Sequence, residues 1–138
     1  MKKVILPGLL IGVLILAAEM GLSYAANLIF PSLVAEYNNT NLFRPWSDPL
    51  MLYLYGAYPF VMGIAFAWVW NKVKVLFVGG AAKKGFLFGL AFWVVCSIPG
   101  MLISYSSFQL SLIMILSWTV SGFAWAVIAG MILAKLNK

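Results

Sequence analysis

The sequence predicts an all-α integral membrane protein, a four-transmembrane-helix bundle with both termini on the cytoplasmic side (N-in/C-in). Composition is the first observation behind this prediction: 64% of the 138 residues are hydrophobic and only 9% are charged. A soluble domain carries about a quarter charged residues. Lipid cannot satisfy backbone polar groups, so each span must be a helix or part of a closed barrel. Barrel strands alternate apolar and polar residues, whereas these segments are apolar at nearly every position.

Four long apolar windows are the second observation, because crossing a bilayer takes about twenty apolar residues. The windows cover residues 4–27, 49–70, 85–105 and 109–134. They form one predicted membrane domain, residues 1–138. The first window has an alternative interpretation as a signal peptide, because Ser23-Tyr24-Ala25 resembles a cleavage site. The apolar run is long for a signal peptide and Glu19 interrupts it, so we expect a retained span.

The distribution of basic residues is the third observation, since lysine and arginine favour the cytoplasmic side. All eight lysines precede the first span, lie between the second and third, or follow the fourth: Lys2, Lys3, Lys72, Lys74, Lys83, Lys84, Lys135 and Lys138. Only Arg44 falls on the other side. We therefore expect a multi-pass protein of the plasma (inner) membrane, with the loop lysines contacting anionic headgroups. The lysines form no basic face, which argues against nucleic acid binding.

The first outer loop is the longest connection. Residues 31–37 begin with proline, which suits the first position of a helix, and they predict one or two turns of interfacial helix. Residues 43–46 follow, and Trp46 is typical of an anchor at the headgroup level.

Catalysis is not expected. The chain contains no histidine, which excludes bis-histidine haem, histidine-containing zinc hydrolase sites and Ser-His-Asp triads. No carboxylate pair, metal-ligand cluster or phosphate-binding loop occurs in the sequence. We therefore predict no metal and no cofactor, and Cys96, the one cysteine, allows no internal disulfide.

Small residues at helical spacing predict where helices approach one another in lipid. The predicted packing positions are Gly8, Gly12, Gly85, Gly89, Gly122, Ala126 and Gly130. They either pack this bundle or form a dimer interface. The Gly-x-x-x-Gly pairs of the first and third spans parallel each other, which we interpret as coincidence rather than an internal repeat. Glu19 shares a stripe with Gly8 and Gly12, so it is expected to face protein.

Glu19 is the strongest candidate for a functional residue. A carboxylate inside a bilayer costs several kcal/mol unless it is paired or protonated, and no span contains a lysine or arginine. At 1.5 Å per residue, Glu19 lies about 12 Å below the outer end of its span. The predicted polar layer at this depth comprises Tyr55, Tyr58, Ser97, Trp118 and Thr119.

Three roles for Glu19 remain open. It is a neutral acid hydrogen-bonded to Tyr58, Ser97 or Trp118; or it is a proton or cation site in a cavity; or it pairs with Arg44 or with a basic residue of a partner subunit.

Two functions follow from these roles. The first is an accessory or structural subunit of a membrane complex. Its partner is a second copy of the chain, in a homodimer, or a larger membrane protein. The alternative is a homo-oligomeric transporter or a small-ligand- or cation-binding protein that uses Glu19 as an intramembrane proton or cation site. A small-residue seam left uncovered on the fourth span would favour the accessory function.

Overall fold

The chain forms four long helical rods and one short helix in a computed structural model that describes residues 2–137, with side chains from Val4 onward. The elements are α1 (Lys2–Ile29), α2 (Ser32–Tyr37), α3 (Pro49–Val73), α4 (Ala81–Phe92), α5 (Ile98–Ser107) and α6 (Leu112–Leu136). A 3₁₀ turn (Lys74–Leu76) extends α3, and a π-helical turn (Trp93–Ser97) joins α4 to α5. The side chains of Lys2 and Lys3, and all of Lys138, lie outside the described residues. The predicted cytoplasmic placement of these three lysines therefore concerns residues that lie outside the description.

Four rods are long enough and apolar enough to cross a membrane, which confirms the predicted number of spans. They cover Val4–Ile29, Pro49–Leu76, Ala81–Ser107 and Leu112–Leu136. No strand occurs between residues 2 and 137. The fold is therefore all-helical, as predicted, and its four apolar helices indicate a multi-pass membrane protein.

The rods form two antiparallel hairpins. One consists of α1 packed on α3, the other of α4 packed on α6, and contacts between α1 and α6 join the two. We call the end where α1 begins and α6 ends the terminal end. The opposite end, which carries residues 30–48 and 108–111, is the loop end.

Backbone contact between glycines holds the first hairpin together. A β-carbon on Gly63 of α3 would overlap the carbonyl oxygen of Gly8 and would lie 2.6 Å from the amide nitrogen of Gly12. Gly63 is missing from the predicted packing positions, although Ala67 stands four residues after it.

The second hairpin repeats this arrangement. Gly130 of α6 lies against the backbone of Gly85 and Gly89, and a β-carbon on Gly89 would lie 2.7 Å from the Cα of Val127. Each Gly-x-x-x-Gly pair thus packs against one glycine of another helix, Gly63 of α3 in the first hairpin and Gly130 of α6 in the second. The sequence parallel between the two pairs corresponds to equivalent packing positions in the structure.

The small-residue seam of α6 is covered within the chain. Gly122, Ala126, Gly130 and Ala134 are all buried. Gly122 faces the Oγ of Ser97 in the π-helical turn, and Gly130 faces α4. The seam therefore belongs to the interior of the bundle in this structure.

Aromatic side chains fill the space between the hairpins in the terminal half. The ring centroid of Phe66 lies 4.7 Å from that of Phe88 and 4.6 Å from that of Phe92. Trp70 and Trp125 belong to the same cluster, which Ile11 and Ile15 of α1 complete. This core positions the site, because it ends about halfway along the bundle.

Hydrogen bonds join the two hairpins at the terminal end. The indole of Trp70 donates to the carbonyl of Asn137 (2.9 Å), and the Nζ of Lys74 donates to its Oδ1 (3.0 Å). The Asn137 amide in turn donates to Asn71 (2.7 Å). The end of α6 is thereby fixed to the end of α3.

Candidate functional site

The face of α1 that looks into the bundle changes from apolar to polar at Glu19. Ile11, Ile15, Glu19, Ser23 and Asn27 follow one another at four-residue intervals and so share a face of the helix. Ile11 and Ile15 are 0% and 1% exposed in the aromatic core, whereas the three polar residues line a cavity.

The same change occurs on α3 and α6. Phe66 of α3 and Trp125 of α6 belong to the aromatic core, while Tyr58 and Ser121, nearer the loop end, line the cavity. Glu19 lies ten residues from the end of α1 (29 − 19), and Tyr58 and Ser121 lie nine residues from the starts of α3 and α6 (58 − 49 and 121 − 112). At 1.5 Å per residue this depth is about 14 Å on all three helices. The apolar core therefore ends at a common level.

Above that level lies a cavity of about 580 Å³, within the usual size range of small-molecule sites, about 300–1,000 Å³. Helices α1, α3 and α6 form its walls, and the segment 34–46 covers it toward the loop end. The lining residues are Glu19, Ser23, Ala26, Asn27, Val34, Tyr37, Asn38, Phe43, Arg44, Trp46, Met51, Tyr55, Tyr58, Met101, Ser117, Trp118 and Ser121.

Both α3 and α5 line the cavity, α3 with Met51, Tyr55 and Tyr58 and α5 with Met101. Helix α3 packs mainly on α1, and α5 packs mainly on α6 and the π-helical turn, with little contact between α3 and α5 themselves. Tyr55 and Tyr58 are 36% and 41% exposed.

Glu36 fastens the covering segment to α6. Its carboxylate accepts hydrogen bonds from the backbone N–H (2.7 Å) and the hydroxyl (2.6 Å) of Ser111, and Ser111 caps the first turn of α6. Leu33 of α2 is 1% exposed and packs with Met114 and its neighbours. The loop helix is thus docked on the bundle.

Asp48 fastens the same segment to α3. Its carboxylate pairs with Arg44 at 2.9 Å and accepts a hydrogen bond from the Leu50 amide, also at 2.9 Å. The hydrogen bond from Arg44, followed by that from Leu50, lowers the pKa of Asp48. Arg44 lines the rim of the cavity, but its ion pair is with Asp48 and not with Glu19.

Glu19 is the remaining acid of the chain's three. It makes no hydrogen bond or ion pair with any residue that the structure describes. Asn27 lies two turns further along α1, and its buried Oδ1 also lacks a hydrogen-bond partner among residues 2–137. Two hydrogen-bond acceptors of the cavity wall are therefore unpaired.

Four of the six predicted site residues line this cavity: Glu19, Tyr55, Tyr58 and Trp118. Trp118 donates its indole N–H to the hydroxyl of Tyr37 (2.6 Å) and not to Glu19. Among the described residues, neither Tyr58 nor Ser97 donates a hydrogen bond to Glu19.

The other two predicted residues, Ser97 and Thr119, do not line the cavity. Thr119 donates to the carbonyl of Ile115 (2.7 Å), and its own carbonyl accepts from Trp93 (2.8 Å). Depth predicts Ser97 and helical spacing predicts Thr119 in the polar layer, but both lie at the contact between α6 and the π-helical turn.

On α1 and α6, four polar lining residues are absent from the predicted site: Ser23, Asn27, Ser117 and Ser121. Helical spacing is the signal that finds them. Ser23 and Asn27 follow Glu19 at intervals of four, and Ser117 and Ser121 precede Trp125 at the same interval.

The arrangement suits a small molecule better than a metal ion. No group of three or more metal-ligating side chains exists in the part of the chain that the structure describes. The walls combine one carboxyl, hydroxyls and an amide with aromatic rings. Comparison with known proteins adds no assignment: no protein-family model matches the chain, and neither a curated protein nor a solved structure matches it.

Proposed function

We propose that this chain is a membrane protein that binds a small ligand in the cavity at the loop end, with Glu19 on its floor as an intramembrane proton or cation site. The observation that carries this proposal is the unpaired Glu19 in a cavity of about 580 Å³. An ionised carboxylate at this depth costs several kcal/mol without a partner, so we infer that Glu19 takes up either a proton or a cation that enters the cavity. If the bound ligand is released on the opposite side of the membrane, the function is transport, carried out by a homo-oligomer of this chain.

The accessory-subunit function has less support. It requires an uncovered small-residue seam on the fourth span, and the buried positions Gly122, Ala126 and Gly130 argue against one. The exposed side chains of α6 are large and apolar, including Leu116 and Val120, which is typical of a lipid-facing surface.

We further propose that the loop end lies outside the cell and the terminal end in the cytoplasm of a plasma (inner) membrane protein. Support comes from Lys72, Lys74, Lys83 and Lys84, which cluster near the terminal end, while Arg44 lies at the loop end. Basic residues favour the cytoplasmic side. In this orientation the cavity lies in the outer half of the protein.

Native mass spectrometry of the protein extracted in mild detergent tests the proposed function. We expect the wild-type chain, alone or as a homo-oligomer, to retain a small molecule. Ser23→Trp should lose that molecule, because the indole would occupy the cavity one turn above Glu19. Ser106→Trp is the matched control, because Ser106 is exposed on α5 and does not line the cavity.

Two results would contradict the proposed function. One is a wild-type chain found only in complex with a different membrane protein and carrying no small molecule. The other is a bound molecule that Ser23→Trp and Ser106→Trp retain equally.

A further inference from the structure

We propose that the ligand of this cavity is an organic ammonium ion with an apolar body, whose charged head is held by Glu19 and the aromatic rings beside it. This inference rests on the proposed function and names the chemical class of the ligand.

The unpaired groups of the cavity wall indicate the sign of the ligand. Glu19 offers a carboxyl group and Asn27 a buried amide oxygen, both without partners among the described residues. The amide oxygen accepts hydrogen bonds, and so does the carboxyl group once it is ionised, so a ligand that complements both donates hydrogen bonds. An anionic ligand would be repelled by the Glu19 carboxylate. The guanidinium of Arg44, which could attract an anion, is already paired with Asp48 at 2.9 Å.

The rings around Glu19 favour a cation over a neutral donor. Tyr55 and Tyr58 of α3 and Trp118 of α6 line the same cavity as Glu19. Trp46 extends this aromatic surface, because its ring stands edge-on to Tyr55 at a centroid distance of 5.3 Å. Aromatic faces attract ammonium groups through their quadrupoles.

Other charged and titratable groups near Glu19 do not change this assignment. The segment that covers the cavity contributes Tyr37 and Arg44, and α3 contributes its two tyrosines. Helix α6 lines the cavity with two serines and a tryptophan, and α5 does so with Met101. Glu19 is therefore the only acid among the cavity-lining residues that the structure describes.

An inorganic cation fits the cavity less well than an organic one. A hard cation such as Ca²⁺ takes about six to eight oxygen ligands. Among the cavity-lining residues that the structure describes, one carboxyl group stands with hydroxyls and amides among aromatic and apolar side chains, and no group of three metal-ligating side chains is present. The apolar part of the lining, which includes Met51 and Met101, suits an apolar body.

Isothermal titration of the purified full-length protein in dodecyl maltoside at neutral pH tests the inference with three probes of one shape. They are 4-phenylbutylamine, which is cationic; 4-phenylbutan-1-ol, which is neutral; and 4-phenylbutanoate, which is anionic. We expect the wild-type protein to bind the amine at least tenfold more tightly than the alcohol, with the carboxylate weakest.

Variants then assign the preference to Glu19. Glu19→Gln should reduce amine binding to the level of the alcohol without weakening the alcohol, and Glu19→Asp should keep the amine preference. Glu36→Gln is the matched control, because Glu36 lies outside the cavity and bonds to Ser111. Circular dichroism and gel filtration establish that each variant is folded.

The outcomes separate the two proposals. If the alcohol or the carboxylate binds as tightly as the amine, and Ser23→Trp abolishes that binding, the ammonium inference is overturned and the cavity remains a binding site. If all three probes bind wild type and Ser23→Trp identically, the cavity is not their site, and both proposals are contradicted. An amine preference that survives in folded Glu19→Gln overturns the role given to Glu19.

Discussion

Gly63 and Gly8 meet backbone to backbone, and the carbonyl oxygen of Gly8 occupies the space that a β-carbon on Gly63 would need. Close approach of this kind replaces the hydrophobic effect as the source of helix association in lipid. Because Gly130 meets Gly85 in the same way, each hairpin is fixed in its terminal half. These glycine contacts therefore lie away from the loop end, where the cavity lies.

Gly63→Ala should therefore destabilise the protein by about 1–3 kcal/mol, the usual effect of overpacking. Unfolding in mixed micelles with increasing dodecyl sulfate measures the difference. Gly56→Ala, in the same helix, is the matched control: no atom lies within 4 Å of its added β-carbon, so it should leave stability unchanged or slightly raised. Equal stability of the two variants would contradict the close contact.

Glu36 and Ser111 should be energetically coupled, because two hydrogen bonds join them across a separation of 75 residues. Hydrogen bonds to charged groups contribute about 1.5–3 kcal/mol, less where water reaches them. We expect a coupling energy of about 1 kcal/mol in a double-mutant cycle of Glu36→Ala and Ser111→Ala, measured by thermal unfolding. Additive effects would show that the loop is not held by this pair.

The Asp48–Arg44 pair predicts a pH dependence of stability. The pKa of Asp48 is lowered from its ordinary value of 3.8, first by the hydrogen bond from Arg44. A lowered pKa means that the carboxylate stabilises the folded state above pH 3.8, and that this contribution is lost as the pH falls through the folded-state value.

Asp48→Asn keeps a good helix cap but removes the charge. We expect it to melt below wild type at pH 7 and together with wild type at about pH 2. Thermal unfolding monitored by circular dichroism at both values makes the comparison. A difference that persists unchanged at low pH would mean that the cap, and not the ion pair, is the source of stability.

Glu19→Gln should leave the stability of the protein unchanged or raise it, by up to about 2 kcal/mol, since an unpaired acid in a membrane is unfavourable. No hydrogen bond within residues 2–137 is lost in this variant. The dodecyl sulfate titration used for Gly63→Ala measures the effect, with Tyr58→Phe beside it. A loss of 1 kcal/mol or more in both variants would indicate a structural Glu19–Tyr58 hydrogen bond instead.

Cysteine labelling in whole cells tests the proposed orientation. In a Cys96→Ser background, Ser47→Cys near the loop end should react with a membrane-impermeant maleimide. Ala82→Cys near the terminal end should react only after permeabilisation. Both positions are exposed, so accessibility to water is matched, and the reverse pattern would invert the proposed orientation.

The site could be predicted from sequence only where the evidence was local. Glu19 lies among small and polar residues at helical spacing, so its orientation toward protein follows from the helix period. Depth and helical spacing predict Ser97 and Thr119 in the polar layer, but neither specifies which neighbour a helix face meets. The same limit applies to Gly63, whose partner Gly8 stands 55 residues earlier in the chain (63 − 8).

By itself the sequence determined that the chain forms four apolar helices long enough to cross a membrane, because a span is a local property of about twenty consecutive residues. It also determined that one acid, Glu19, lies within a span. Only the tertiary structure decided that Glu36 and Asp48 hold the loop in place, which leaves Glu19 without a partner. The physical reason is that hydrogen bonds and glycine contacts between helices form across tens of residues, where no local pattern records which faces will meet.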